Sequence, residues 1–222
     1  MALEQKATYY DTLFQRQEFY QRHYTQTHYY VQWVQVEMML RAFRGQKILE
    51  IGCGTGQLAH MLEDLGYTNY EGFDFSPVAV EKAKAACKQQ FFVGDALDAS
   101  IYQRPYDVVV SLEVFEHIKK DLDILKLIKS GTYVIISIPN FDDKSHVRWF
   151  RSQYQVRKRY YRLIDIKRIH FINNIYIIGG IRSDFKPNLF QRILKTRQTV
   201  SLSSIWKRIL HRIHHFFKIK HA

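Results

Sequence analysis

The sequence predicts an open α/β sheet of the doubly wound kind, with its ligand cleft at the carboxyl ends of the strands. Three observations carry this. In residues 47–58, KILEIGCGTGQL, the apolar run Ile48, Leu49 and Ile51 is broken by Glu50 and meets Gly52, Gly54 and Gly56 at alternate positions, after which the pattern turns helical. A buried strand running through a glycine loop into a helix lets backbone approach a ligand closely, because residues without Cβ leave room and tolerate unusual dihedrals. Short apolar runs then alternate with helical patterns, and Asp74 and Asp95 each follow a strand-like run, which places acids at one edge of the sheet.

Residues 3–44 are rich in Tyr, Gln and His, contain no Pro, and read as two helices; Tyr20, Tyr24, Tyr30, Trp33, Val34, Val36, Met39 and Leu40 include many i, i+3 and i+4 pairs. After the glycine loop a helix runs over about 57–65 and stops at Gly66. Residues 70–74 form the second strand; Ser76 then caps a helix whose first position is Pro77, where a missing N–H is harmless. Residues 90–93 form the third strand, leading into Gly94-Asp95-Ala96, and residues 106–112 the fourth, which reads as buried on both faces. A helix over 120–128 precedes a fifth strand over 131–138, stopped by Pro139-Asn140. Residues 142–150 cross the substrate side, 152–161 read as a basic helix, and 163–171 and 175–182 as a hairpin about Asn173-Asn174.

The acid on the first strand, a glycine at every second position and Asp74 closing the second strand resemble motifs I and II of the class I S-adenosylmethionine-dependent methyltransferases. Taken alone, Gly54 to Ala59 also fits G-x-G-x-x-A, so a dinucleotide enzyme is the alternative. The resemblance covers about residues 1–183. It implies a Rossmann-like seven-stranded, mostly parallel sheet with an antiparallel last strand, helices on both faces and an N-terminal helical lid. The expected organisation is a lid over 1–44, a methyltransferase domain over 45–183 and a basic extension over 184–222. The resemblance further implies that S-adenosylmethionine, leaving as S-adenosylhomocysteine, is held by Glu50, Gly52, Cys53, Gly54, Gly56, Gln57, Leu58, Asp74, Phe75, Ser76, Asp95, Ala96, Leu97, Leu112 and Glu113. Asp74 would accept the ribose hydroxyls and Asp95 the adenine amino group. Tyr9, Tyr10, Phe14, Tyr20 and Tyr24 are candidates to line the lid, and Tyr9, Tyr20, Tyr24, Asn140 and Arg148 to touch the acceptor.

The fourth strand delivers Glu113-Val114-Phe115-Glu116-His117 to the same edge. His117 is the first candidate for general base, because imidazole titrates near neutrality, and His146 the second, with Glu113 beside them. Glu113-x-x-Glu116-His117 with a later His146 also resembles the E-x-x-E-H plus distal His set of metal-dependent small-RNA 2′-O-methyltransferases and, in part, of ubiquinone-pathway O-methyltransferases. On that resemblance Glu113, Glu116, His117 and His146 become candidate ligands for Mg²⁺ or Mn²⁺, which would lower the pKa of a bound hydroxyl. A metal-free site stays open beside it.

At 222 residues the chain accommodates one α/β domain with short additions. Cys53 and Cys87 belong to no C-x-x-C pair, and no signal-like segment or run of 18 apolar residues occurs, so a cytoplasmic protein is expected. The net charge of +12 is uneven: residues 1–145 hold 15 Lys and Arg against 19 Asp and Glu, and residues 146–222 hold 18 against 2. Ile205, Trp206, Ile209, Leu210, Ile213, Phe216 and Phe217 recur at helical spacing opposite Lys207, Arg208, Arg212 and Lys218. A basic amphipathic segment over 203–218 suits an anionic membrane surface, peripheral at its inner face, or a protein partner. The function expected is O-methylation of a small-molecule, sugar or lipid-linked acceptor. RNA 2′-O-methylation and a noncatalytic nucleotide-binding module are the alternatives. RNA is less favoured for want of an aromatic RNA-binding motif. The residues leave the acceptor and the oligomeric state open.

Overall fold

The computed structural model describes residues 4–184. Its centre is a seven-stranded sheet in the order β3-β2-β1-β4-β5-β7-β6. β1 (Ile48–Ile51) lies between β2 (Tyr70–Asp74) and β4 (Val108–Ser111), parallel to both, with Ile48 opposite Tyr70 and Val108. β3 (Gln90–Val93) and β5 (Tyr133–Pro139) extend the parallel part on either side. β7 (Ile175–Arg182) runs antiparallel to β5 and to β6 (Ile164–Ile172), so the last strand is inserted beside β5 and β6 takes the edge. The β6–β7 turn has Asn173 at φ 48° and Asn174 at φ 64°, the left-handed pair that matches the twist of a two-residue hairpin.

Among the described residues six α-helices surround the sheet: α1 (Ala7–Arg16), α2 (Tyr30–Leu40), α3 (Gln57–Asp64), α4 (Pro77–Ala86), α5 (Asp121–Leu127) and α6 (Gln153–Tyr160). The period-2 alternation along β1 sorts its side chains between two cores. Ile48 joins Val36, Leu40, Leu58, Leu62 and Val80 on one face; Leu49 and Ile51 join Ile124, Leu125, Val156 and Tyr160 on the other. β1, β2 and β4 are buried at every position, as a sheet covered on both faces requires.

The expected N-terminal helix pair is interrupted. α1 ends at Arg16, and two 3₁₀ turns, Glu18–Gln21 and Tyr24–Gln26, form a strap leading into α2. Short aromatic and polar stretches such as EFY and YTQT carry no continuous apolar stripe, so tertiary hydrogen bonds decide their path. The Thr55 hydroxyl donates to Tyr20 O at 2.6 Å, and the Gln57 amide donates to Arg22 O at 2.7 Å. The amphipathic segment over 203–218 lies outside the described residues.

Candidate active site

The carboxyl ends of β1, β2 and β4 open into a cavity of about 700 Å³, roofed by α1, the strap and the start of α2. A volume in this range suits a small-molecule ligand. Gly52, Gly54 and Gly56 take φ of 71°, 52° and 78°, which L side chains rarely adopt. A Cβ on Gly54 would stand 3.9 Å from the Phe14 ring, in the space between loop and roof, whereas one on Gly56 would lie 2.9 Å from Cα and Cβ of Ala83. Gly54 therefore keeps the cleft open, and Gly56 lets α3 and α4 meet.

Asp74 is 6% exposed, with one carboxylate oxygen accepting from Gly54 N at 3.0 Å and the other from Ser76 N at 2.9 Å. Burial pushes its pKa up to about 6 against the pull of those N–H groups, and each oxygen keeps a lone pair for a diol. Asp95 accepts from Leu97 N at 2.8 Å through one oxygen, leaving the other to the cavity wall. Cys53, Gln57, Leu58, Phe75, Ala96, Leu97, Leu112 and Glu113 also line the cavity. Glu4, Asp74, Asp95, Glu113 and Asp143 make the described lining rich in carboxyl groups, with Lys6 its one Lys or Arg. Acidic walls, a glycine cradle and a buried diol acceptor fit a cationic sulfonium nucleoside.

Two expected cofactor residues, Gly56 and Ser76, act from behind the loop, and Glu50 lines the cavity as a neutral acid. Glu50 receives the Tyr70 hydroxyl and is held protonated by burial, its pKa raised to about 8. Gly56 and Ser76 do not line the cavity; Ser76 caps α4 by accepting from Ala79 N at 3.1 Å, and its hydroxyl donates to Asp11, fastening α1.

The catalytic edge is built from two loops. Glu113, directly after β4, has φ 55°, a left-handed conformation costly for a non-glycine residue and often kept where a site needs it. Ser137 of β5 holds it there, accepting from Glu113 N at 2.7 Å and donating to its carboxylate at 2.6 Å. The second loop, after β5, is pinned to the first by Val147 N donating to Glu116 O at 2.7 Å. His117 and His146 thereby come together, ring centroids 5.1 Å apart.

Both rings face a backbone carbonyl through Nδ1: Ser145 O at 3.0 Å for His117 and Phe141 O at 3.2 Å for His146. A carbonyl only accepts, so Nδ1 carries the hydrogen in each neutral ring and Nε2 presents its lone pair. Burial, with His146 adding to it, lowers the His117 pKa to about 4. Glu116 is fully buried, and neither carboxylate oxygen has a hydrogen-bond partner. Burial and neighbouring Glu113 raise its pKa strongly. Ligand atoms of Glu116, His117 and His146 lie within 4.8 Å of one another. Of the four expected metal ligands, Glu113 is the one outside this cluster; its carboxyl takes Ser137 and faces Glu116.

Three expected acceptor contacts have partners of their own outside the cavity lining. Arg148 does not line the cavity; its guanidinium donates to Phe115 O and to Lys119 O at 2.9 Å and pairs with buried Asp121 at 3.2 Å, locking the Glu113–His117 loop. Asn140 donates to the Tyr176 hydroxyl at 2.9 Å, and Tyr24 to Asp64 at 2.7 Å, both away from the cavity. Tyr9 and Tyr20 do line it. Tyr29, Trp33, Phe141 and Asp143 line it as well and were missed. Trp33 shows in the sequence as part of an apolar helix face, Asp143 falls in the 142–150 segment expected on the substrate side, and no local signal marks Tyr29 or Phe141.

Sheet order and cleft are those of the class I methyltransferase fold, the class whose cofactor is S-adenosylmethionine. The chain belongs to the family described as methyltransferase domain, whose model matches residues 20–175. A ubiquinone biosynthesis O-methyltransferase of Roseobacter denitrificans is 34% identical over 116 residues, 47% of this chain and 46% of that protein. The mitochondrial one of Schizosaccharomyces pombe is 33% identical over 90 residues, 37% of this chain and 32% of that protein. The chain thus spans about half or less of the curated relatives it matches. Among solved structures, a Pyrococcus horikoshii OT3 protein superposes with TM-score 0.60 at 16% identity, covering 78% of this chain and 99% of that one. Magnesium protoporphyrin IX methyltransferase from Synechocystis PCC 6803, with bound SAM, superposes with TM-score 0.54 at 20% identity, covering 68% and 78%. These structural likenesses show the fold.

Proposed function

We propose that this protein methylates an oxygen of a small-molecule acceptor, using a divalent cation held by Glu116, His117 and His146. The observation that carries the reading is Glu116, a carboxyl sealed from solvent whose oxygens meet no N–H or hydroxyl donor and face only the Glu113 carboxyl, set beside two Nε2 lone pairs. An unpaired buried carboxylate is costly unless it is protonated or meets a cation. Two backbone carbonyls orienting the imidazoles through Nδ1 make the outer shell such a site needs. Glu113 stands next to Glu116 as a further carboxylate within the loop.

S-adenosylmethionine, when bound, supplies an electrophilic methyl group. Asp74 and Asp95 are its proposed holders for ribose and adenine, with Gly52 and Gly54 giving the backbone its approach. Tyr9, Tyr10, Phe14 and Tyr20 exclude water from above, and Tyr20 is tied to the loop through Thr55. With a pKa of about 4, His117 as a lone base would take a proton from a phenol-like hydroxyl of pKa about 10 against about six powers of ten. A divalent cation would supply the missing acidity; with Glu113 beside Glu116 the loop offers two carboxylates to the two imidazoles, a set that fits Mn²⁺ better than Mg²⁺, and His117 would then be one of its ligands. The division into lid, domain and extension over 1–44, 45–183 and 184–222 follows the same reading. The basic amphipathic pattern of 203–218 supports an anionic membrane surface as the place of work.

The test is methyl release over a panel of phenolic, sugar and RNA acceptors, after chelation and after return of Mg²⁺ or Mn²⁺. Activity on a small hydroxyl acceptor, lost with chelator and in Glu116→Ala, is expected. Full activity of Glu116→Ala in excess chelator overturns the metal role, and turnover confined to RNA overturns the acceptor class. Co-sedimentation with phosphatidylserine vesicles, lost on deleting 203–218, checks the membrane contact.

A further inference from the structure

A second group of ligating side chains stands outside the cleft. His60 and Asp64 are one turn apart on α3, with His60 Nε2 3.9 Å from Asp64 Oδ1. His23 reaches them from the strap, its ring centroid 5.1 Å from that of His60. One ligand atom from each residue lies within 4.8 Å of the others, and none of the three lines the cavity.

We infer that His23, His60 and Asp64 form a binding site for a first-row transition-metal ion of the Zn²⁺ class. Two imidazoles and a carboxylate suit such ions better than Mg²⁺ or Ca²⁺, which take oxygen shells. Ligands about 2.0–2.2 Å from a tetrahedral zinc sit about 3.4 Å apart, so side-chain rotations of about 1 Å close the set. The outer shell is in place. The Tyr24 hydroxyl donates to Asp64 Oδ2 at 2.7 Å, which orients the carboxylate and leaves Oδ1 toward His60. His23 Nδ1 accepts from Thr25 N at 3.4 Å and lies 2.9 Å from the Thr25 hydroxyl, which holds the ring; ligation through Nε2 would move the ring hydrogen to Nδ1, where the Thr25 hydroxyl would accept it.

The place of the site gives it a consequence. The strap carries Tyr20 and Tyr29, two aromatic walls of the cavity, and is held to the loop and α3 through Thr55 and Gln57. An ion joining His23 to α3 staples the same strap from outside, so occupancy tightens the cover over the cleft without touching the chemistry. This inference does not depend on the proposed reaction.

The test is a Co²⁺ titration of the full chain, read by visible absorption and calorimetry, on the unaltered protein, His23→Gln, His60→Ala and Asp64→Asn. The three substitutions fall on exposed or half-exposed side chains. Each is expected to lose the same one equivalent of Co²⁺ and its tetrahedral absorption band, while ions bound elsewhere remain. Zn²⁺ is expected to raise the thermal midpoint of the unaltered chain more than that of His60→Ala. Unchanged Co²⁺ stoichiometry in His60→Ala or Asp64→Asn overturns the site.

Discussion

Arg148 illustrates how a charged residue beside a cleft can belong to the scaffold. Asp121 has no exposed surface and takes Arg159 at 2.6 Å, the Tyr160 hydroxyl at 2.9 Å and Arg148 at 3.2 Å. Arg148 also satisfies carbonyls at the end of the Glu113–His117 loop. Replacing it with Met leaves those carbonyls without a donor and Asp121 with one cation fewer, at an expected cost of about 2–4 kcal/mol in urea unfolding. A change below about 0.5 kcal/mol together with a higher KM for the acceptor would return Arg148 to substrate binding. Tyr24→Phe makes the parallel test. Its hydroxyl meets Asp64 outside the cavity lining, so without added transition metal kcat and the KM for the acceptor should stay as they are.

Among the elements, the turn from loop to α3 and the end of that helix make a matched pair. Gly56 and Gly66 both have left-handed φ, 78° and 82°, but a Cβ on Gly66 meets nothing within 4 Å while one on Gly56 runs into the Ala83 backbone. Gly66→Ala should therefore cost about 1–2 kcal/mol, the dihedral penalty alone. Gly56→Ala should exceed it by about 1–3 kcal/mol, because α3 and α4 must part. Equal losses in chemical denaturation would mean that the helices yield freely there. The strap belongs to this scale too. Its path follows from Thr55 and Gln57, whose partners are backbone carbonyls about 35 residues earlier in the chain.

Buried acids give the whole molecule a pH signature. Burial raises Glu50 to about 8, with the Tyr70 hydroxyl pulling against it, and raises Asp74 to about 6. Unfolding returns both to ordinary carboxylate values near 4. A raised folded pKa stabilises fully below the unfolded value, and the contribution disappears as pH climbs through the folded value. The ligand-free protein should therefore lose thermal stability between about pH 6.5 and 8, a window above Asp74 in which Glu50 titrates. Glu50→Gln, which keeps an acceptor for Tyr70, should flatten that slope. An unchanged slope in differential scanning calorimetry would show that Glu50 is already ionised in the folded chain.

The alternation of apolar runs, the glycine spacing and the placing of Asp74 and Asp95 were legible because each reports on its own few residues. They specified β1 to β5, the Ser76 cap with Pro77, the Asn173-Asn174 turn and the cofactor edge. Local pattern carries no record of which loops meet. The 5.1 Å approach of the His117 and His146 rings, the burial of Glu116 against Glu113 and the hold of Ser137 on Glu113 depend on β4 and β5 lying side by side with their loops pinned at Val147. Tyr24, Asn140 and Arg148 had the right chemistry for a substrate site. Nearer partners claimed them, since a buried or half-buried polar group takes whatever satisfies it first, and those partners are set by packing across the folded chain.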